Sequence, residues 1–344
     1  MSPHEAAKAK AIPLMHSALL SPCLSFLYEL GAPVERELFH AGLPTQIFDD
    51  GGMYLSTRAC CEFVSDMGRL EGIPDIGLVV AQRVGIDGFS SALSQSIRRS
   101  PTLYQALQTT CEGVRHESTH CTLKLVEQGD TVYLYHRGSF PDDAPGQIEA
   151  TWWRIGLLVA IVRRFLGPGW EPMRMGVPAD GDTPRRTSEL FQDTRCDPSV
   201  GEHWIAIPRR EMASRQRGPR PLDSFSTADP SLRTFDENAP DFVRSLSELL
   251  RAYFADGTPT LERVARLAGT SVRTVQRRLA EKGVGYSALV QQARFARAQE
   301  LLRRPGVRVI DVAYDLGYSD PSHFARAFRR IGGLSPRQYQ QHLA

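Results

Sequence analysis

The sequence predicts an α+β N-terminal domain followed by an all-α C-terminal domain with two helix-turn-helix units. Three observations lead there. Within residues 1–213 the hydrophobic period changes from helical spacing to strict alternation and back; residues 214–240 are rich in proline, arginine, serine and aspartate with no sustained period; and the last hundred or so residues hold two copies of one pattern. At 344 residues, with 42% hydrophobic and 23% charged side chains, the chain is long enough for two cores of ordinary soluble composition. The expected divisions are 1–213, a linker at 214–240, and 241–344.

In the first domain, Pro22 opens CLSFLYELG, whose Leu24, Leu27, Tyr28 and Leu30 keep near-helical spacing up to Gly31, and VERELFHAG stops at Gly42 before Pro44. A further helix starts at Ser56 or Thr57 and includes CCEFVSDMGRL, and 76–84 is another. Ser100-Pro101 reads as a cap with proline at the first helical position of TLYQALQTTCEGV. The period then becomes two. Cys121, Leu123 and Leu125 alternate with their neighbours, and after Glu127-Gln128-Gly129-Asp130 the run TVYLYH alternates again, which predicts a β-hairpin. Residues 147–166 form a helix that is apolar on most of its circumference, so it is expected to be buried on more than one side. Its Trp152, Trp153, Leu157 and Ile161 can line an apolar pocket, although such a stripe is more often core. Short strands fit 171–177 and 203–207.

The second domain is read from its repeat. Ala265 and Ala313 each stand four residues before a glycine, Gly269 and Gly317, and an apolar residue, Val275 or Phe324, follows six or seven later. Two helices cross closely only where the first offers little bulk, and so short a turn needs a position that tolerates positive φ. Helices are expected at 241–255, 259–268, 271–281, 286–303, 308–316, 321–331 and 336–342, with the two units at 259–281 and 308–331. Asp320-Pro321 and Ser335-Pro336 each pair a capping side chain with a proline whose missing N–H costs nothing there.

The charge is divided between the two domains. Residues 240–344 carry 17 Lys+Arg against 9 Asp+Glu, a net +8, whereas residues 1–239 carry 24 against 30, a net −6. Sixteen of those 17 cations are arginine, which forks onto phosphate and guanine edges. In the helix from Ser271, Val272, Val275 and Leu279 share an inward face, which turns Arg273, Gln276 and Arg277 outward together. Arginine can bridge guanine O6 and N7, and glutamine adenine N6 and N7, so this face suits a DNA major groove. The second unit, expected to bury Phe324, Phe328 and Ile331, presents Ser322, His323 and Arg326, a smaller set with a larger share of phosphate contact. A helix over 286–303 spans ~25 Å at 1.5 Å per residue, enough to hold two reading helices about one DNA turn apart.

Other function classes find little support. The longest apolar stretch has eight uncharged residues between Arg154 and Arg163, short of the ~20 of a membrane span. The N-terminus MSPHEAAKAK lacks a signal peptide's apolar core, so a cytoplasmic location is expected, with no membrane partner and with the six cysteines as reduced, mostly buried thiols. No metal site is expected: on one strand His116 and His120 would stand about 13 Å apart at ~3.3 Å per residue. No phosphate-binding glycine loop, nucleophile elbow or paired-carboxylate motif appears, so neither a cofactor nor a catalytic residue is expected, and Gly85-Ile86-Asp87-Gly88 reads as a turn. DNA methyltransferases that join such a DNA-binding unit to an alkyl-accepting cysteine need a Pro-Cys-His context, which Cys23 and Cys196 both lack.

The run DVAYDLGYSDPSHFARAFRRIGGLSPRQYQ resembles the signature of the AraC/XylS family of bacterial transcription regulators over nearly its whole length. LGAPVERELFHAGLP at 30–44 and IPDIGLVVAQRV at 73–84 are similar, more loosely, to the arabinose-binding-type sensor domain of one branch of that family. The resemblance implies a regulator of double-stranded promoter DNA, more often an activator, that works with RNA polymerase and as a homodimer. It also implies that the N-terminal domain senses a small organic effector. The family's base-contact positions fall on Arg273, Gln276 and Arg277 and on Ser322 and Arg326, with His323 beside them. The alternative is a DNA-binding regulator without ligand, controlled by expression level or a protein partner.

Overall fold

The computed structural model describes residues 11–45, 47, 52–179, 191–216 and 241–343, so most of the expected linker lies outside the described residues. Contacts divide the chain into two compact units. One gathers residues 15–41 with the chain from Thr57 onward to the linker; the other gathers the C-terminal helices with residues up to Leu14 and residues 42–56.

Along the chain, strand β1 (Leu14–His16) precedes helices α1 (Ser21–Glu29) and α2 (Val34–Ala41), then β2 (Tyr54–Ser56), α3 (Thr57–Leu70), α4 (Ile76–Val84), α5 (Ser91–Arg99) and α6 (Leu103–Glu117). Strands β3 (Thr122–Gln128) and β4 (Thr131–Arg137) form the expected hairpin, followed by α7 (Gln147–Leu166), β5 (Arg174–Pro178), β6 (Arg195–Ser199) and β7 (His203–Pro208). The larger sheet runs β3-β4-β7-β5-β6. It is antiparallel except for the β5–β6 pair.

Helix α7 covers this sheet. Its Trp152, Ile155, Leu158 and Val162 join Val132 and Leu134 of β4, Met175 and Val177 of β5 and Ile205 and Ile207 of β7 in one core. The alternation of β4 continues inward to His136, which stands opposite His203 of β7, so two histidines occupy core positions. Trp152 and Ile161 are wholly core.

Several expectations are corrected. The cap of α6 is Thr102, whose hydroxyl accepts the Gln105 N–H, whereas Ser100 closes the preceding helix by donating its N–H to Ile97. That preceding helix, α5, escapes a periodicity reading because Leu93 and Ile97 are its only large apolar residues; Ser90 is its signal, capping the Leu93 N–H. His116 lies in the last turn of α6 rather than on a strand, and His136 stands opposite Leu123 and His203 in the sheet. Residues Gly85–Gly88 form a short 3-10 helix. Strand β6 was hidden by its polar sequence RCDPS, where a proline is tolerated at a sheet edge.

The other unit holds α8 (Phe242–Arg251), α9 (Leu261–Leu267), α10 (Val272–Ala280), α11 (Tyr286–Leu302), α12 (Val309–Asp315), α13 (Pro321–Gly332) and α14 (Pro336–Gln341), each within an expected helix apart from a residue at the end of α13. Residues from near the N-terminus complete it. The buried Ser56 hydroxyl donates to the Leu267 carbonyl at 2.6 Å, the Ile12 N–H to Ser245 Oγ at 2.9 Å, and Thr45 gives its N–H and hydroxyl to Asp256.

Candidate nucleic-acid interface and sensor cavity

The two helix-turn-helix units close by the same turn. In the first, the Thr270 N–H reaches back to the carbonyl of Ala265 at 2.8 Å while Gly269 takes φ +61°; in the second, the Tyr318 N–H reaches Ala313 at 3.0 Å while Gly317 takes φ +73°. This is the helix-ending pattern in which a left-handed residue folds the next N–H onto the helix's last carbonyls. Ala265 and Ala313 are both buried at the crossing.

The second helix of each unit then starts at a capping residue. Ser271 Oγ accepts the Thr274 N–H at 3.2 Å, and Asp320 Oδ1 accepts the Ser322 N–H at 2.8 Å, an interaction that holds the Asp320 carboxyl below its ordinary range. In α10, Val275 and Leu279 are buried and Val272 half-buried, and Arg273, Gln276 and Arg277 are all exposed. In α13, Phe324 and Phe328 are buried while Ser322, His323 and Arg326 are exposed. Phe328 packs on Phe295 of α11 and Tyr339 of α14, with ring centroids 4.7 and 5.6 Å apart. The expectation for Ile331 is corrected: it is 40% exposed, because the helix is near its end and the aromatic cluster is already filled.

The structure also sorts the arginines, which composition alone does not. Arg251 and Arg297 pair with Glu300, and burial lowers the pKa of the Arg297 guanidinium to about 10. Arg278 stacks over Phe242, Arg263 over Tyr253, and Arg294 over both Phe254 and Tyr318, each near 5 Å. These hold the helices together through cation–π contacts. Arg277 makes an exposed ion pair with Glu281 one turn on, at 2.7 Å, an acid that sequence reading passed over.

The N-terminal unit holds a cavity of about 110 Å³ between α1, α3, α4, α6 and α7. Trp153 and Leu157 line it as expected, whereas Trp152 and Ile161 do not. Cys23, Cys60, Cys61 and Cys121 also contribute to the wall, and burial pushes the Cys23 thiol up to about 12 and Cys61 to about 11. The Cys23, Cys60 and Cys61 thiols are therefore neutral, small and apolar in character rather than nucleophilic. Among the described residues no group of His, Cys, Asp and Glu is arranged to hold a metal, and no helix is long and apolar enough to cross a membrane.

Comparison with known proteins places both units. Residues 31–208 match the model of the arabinose-binding domain of AraC transcription regulators, and residues 264–342 match a helix-turn-helix domain model. The chain is 36% identical over 328 residues to the HTH-type transcriptional regulator VirS of Mycobacterium tuberculosis, covering 91% of this chain and 92% of VirS. It is 24% identical over 339 residues to the ornithine utilization regulator of Pseudomonas aeruginosa, covering 97% of each. A shorter match, 35% over 112 residues, covers 32% of this chain and 40% of the HTH-type transcriptional activator RhaS of Escherichia coli. With an arabinose-binding-type domain ahead of paired helix-turn-helix units, the chain belongs to the AraC family of DNA-binding transcription regulators.

Proposed function

We propose that this regulator grips promoter DNA with α10 and α13 in successive major grooves on one face of the duplex. The observation that carries this is the common exposed face of Arg273, Gln276 and Arg277 on a helix whose opposite face is buried. Arg273 and Arg277 suit guanine and Gln276 suits adenine. Ser322, His323 and Arg326 form the second, less charged reading set, and contribute more to phosphate contact than to base choice. Helix α11, 17 residues long and so about 25 Å, spaces the two units.

Control belongs to the N-terminal domain, taken as residues 1–213, with a linker at 214–240 ahead of the reader at 241–344. A small organic effector occupies the cavity beside α7, and the domain pairs two copies of the chain, raising avidity without new base contacts. Activation through RNA polymerase is the better reading, supported by the partial likeness to an activator. The protein acts in the cytoplasm and catalyses no reaction. The competing reading, regulation without ligand through expression level or a protein partner, is less favoured because the domain holds a mostly apolar cavity with a few polar groups in its wall.

The test is a gel-shift titration of the full chain on DNA upstream of its own gene and on random DNA, with and without a metabolite pool. Preferential binding to the promoter fragment that changes with the pool is expected. Equal affinity for both DNAs would remove the reader, and an unchanged preference would favour the ligand-free alternative.

A further inference from the structure

The cavity wall is apolar over most of its extent and charged at a few positions. Leu20, Cys23, Cys60, Val80, Trp153 and Leu157 supply the apolar part. Three charged side chains line the cavity: Arg154, one turn after Thr151 on α7, and the carboxylates Glu117 and Glu149. The Arg154 Nη2 donates to Thr151 Oγ1 at 2.8 Å, its Nε is buried with no hydrogen-bond partner, and no carboxylate of the described residues forms an ion pair with it. A guanidinium held against an apolar cavity without a counter-charge is costly unless something supplies one.

The groups around it do not. Glu117 shares the cavity wall, but its carboxylate is committed to the Ser90 N–H and hydroxyl, and burial raises its pKa above the ordinary carboxylate value. Glu149 accepts the Gly77 N–H at 3.4 Å. Asp142 is taken by the His203 ring at 3.0 Å and the Gly201 N–H at 2.8 Å. His136 and His203 lie within electrostatic reach, and burial, reinforced by the Arg154 charge, keeps both neutral.

Behind Arg154, and not lining the cavity themselves, lie further unmet polar groups. Both ring nitrogens of His136 and the Oε1 of Gln147, each residue 1% exposed, have no hydrogen-bond partner. Gln147 stands one turn before Thr151 on the face that carries Arg154, and its amide reaches the same Thr151 hydroxyl at 3.4 Å. Gly138 joins this cluster, because a Cβ there would collide with the Gln147 amide and the Arg154 Nη2. One His136 N–H, in either tautomer, and the Arg154 Nε–H await an acceptor.

We infer that the effector is a small apolar monocarboxylic acid whose carboxylate is held by Arg154 while its ring or short chain fills the apolar part of the cavity. This rests on the reading of the N-terminal domain as the ligand sensor and adds the chemical class. A cavity of about 150 Å³ lined by apolar side chains accepts benzene, so about 110 Å³ here limits the body to no more than one ring or a short chain. A ligand amine beside Arg154 would meet its charge instead of an acceptor.

The test uses the full chain with benzoate, phenylacetate and hexanoate, each set against its own primary amide, by calorimetric titration and thermal shift. At least one acid is expected to bind, with its amide at least tenfold weaker. Arg154→Gln is expected to lose tenfold or more for that acid, and Arg154→Lys, which keeps the charge, to retain part of the binding. An amide that binds as tightly as its acid, an unchanged affinity in R154Q, or no binding of any of the three acids overturns the inference. The acid-against-amide comparison uses the unaltered chain and decides even where R154Q does not fold. Loss of this inference leaves the sensor reading standing if neutral or basic metabolites change promoter affinity, and that reading fails separately if none does.

Discussion

Gly317 lies against the main-chain carbonyl oxygen of Phe254, so closely that a Cβ at Gly317 would overlap it, and it does so at φ +73°. The glycine that turns the second helix-turn-helix unit is therefore also the point where that unit seats on the segment following α8. Gly317→Ala combines a left-handed backbone with a steric clash and is expected to destabilise the helical unit by about 2–4 kcal/mol. Gly257→Ala, at φ +97° but with nothing within 4 Å, is the control. It carries the backbone cost alone, about 1 kcal/mol. Urea unfolding of both variants checks this, and equal losses would show that the Phe254 contact is not what demands glycine.

Base reading is tested at Arg277. Arg277→Ala is expected to cost ~1–3 kcal/mol at the cognate site and to relax preference at one or two base pairs. Its partner Glu281 pairs with it at 2.7 Å in an exposed ion pair, which is worth little in itself. Glu281→Gln is therefore expected to leave stability nearly unchanged while strengthening DNA binding modestly. A selection from randomised DNA reads both effects; weakening by R277A that is equal on cognate and random DNA would assign Arg277 to phosphate.

Acid sensitivity follows from the buried histidines. Burial lowers the pKa of His136 well below the ordinary 6.5, and it also lowers those of His203 and His116. Such groups contribute full stability above the unfolded value near 6.5 and lose it as pH falls toward their folded values, since the unfolded chain then binds more protons. Glu117 acts in the opposite sense: burial raises its pKa, so its contribution is complete below the ordinary carboxylate range and is lost as pH rises through its folded value. Melting temperature is expected to fall between pH 7 and pH 5.5, with a shallower fall in His136→Gln. An unchanged slope in that variant would mean that His136 does not drive the effect.

The N-terminal strap on the reader gives a third stability test. Ser56→Ala removes the buried hydrogen bond to the Leu267 carbonyl and is expected to cost about 1–3 kcal/mol, because that acceptor loses a partner away from water. A fragment of residues 239–344, proposed to fold alone, lacks this contact and those of Ile12 and Thr45. It is expected to melt below the helical unit of the full chain, and equal melting would show that the strap adds no stability.

Most of the helical unit was legible because its signals are local. Alanine before glycine, serine or aspartate before proline, and valine or phenylalanine at helical spacing each act within a few residues, and Arg273, Gln276, Arg277, Ser322, His323 and Arg326 fall on exposed faces as the period requires. What was not legible depends on distant partners. Nothing near Arg278 in sequence says that it stacks on Phe242, and nothing near Ser56 says that it meets Leu267. Helix α7 was readable to its last residue, yet which of its tryptophans faces the cavity depends on α3 and α4 packing over one side: Trp153 lines it and Trp152 is core. The polar surroundings of Arg154 were invisible for the same reason, since His136 of the hairpin comes within electrostatic reach of Arg154 only when the helix folds over the sheet.

The central claim, two reading helices in successive grooves, is tested most directly by hydroxyl-radical footprinting of the full chain on its promoter across a range of salt. The account predicts two protected patches on one face of the duplex, centred about one helical turn or ~10 base pairs apart, and a steep salt dependence that reflects on the order of 6–10 neutralised phosphates. A single protected patch with a log-log slope near one or two would contradict it, because only one of the two units would then be engaged.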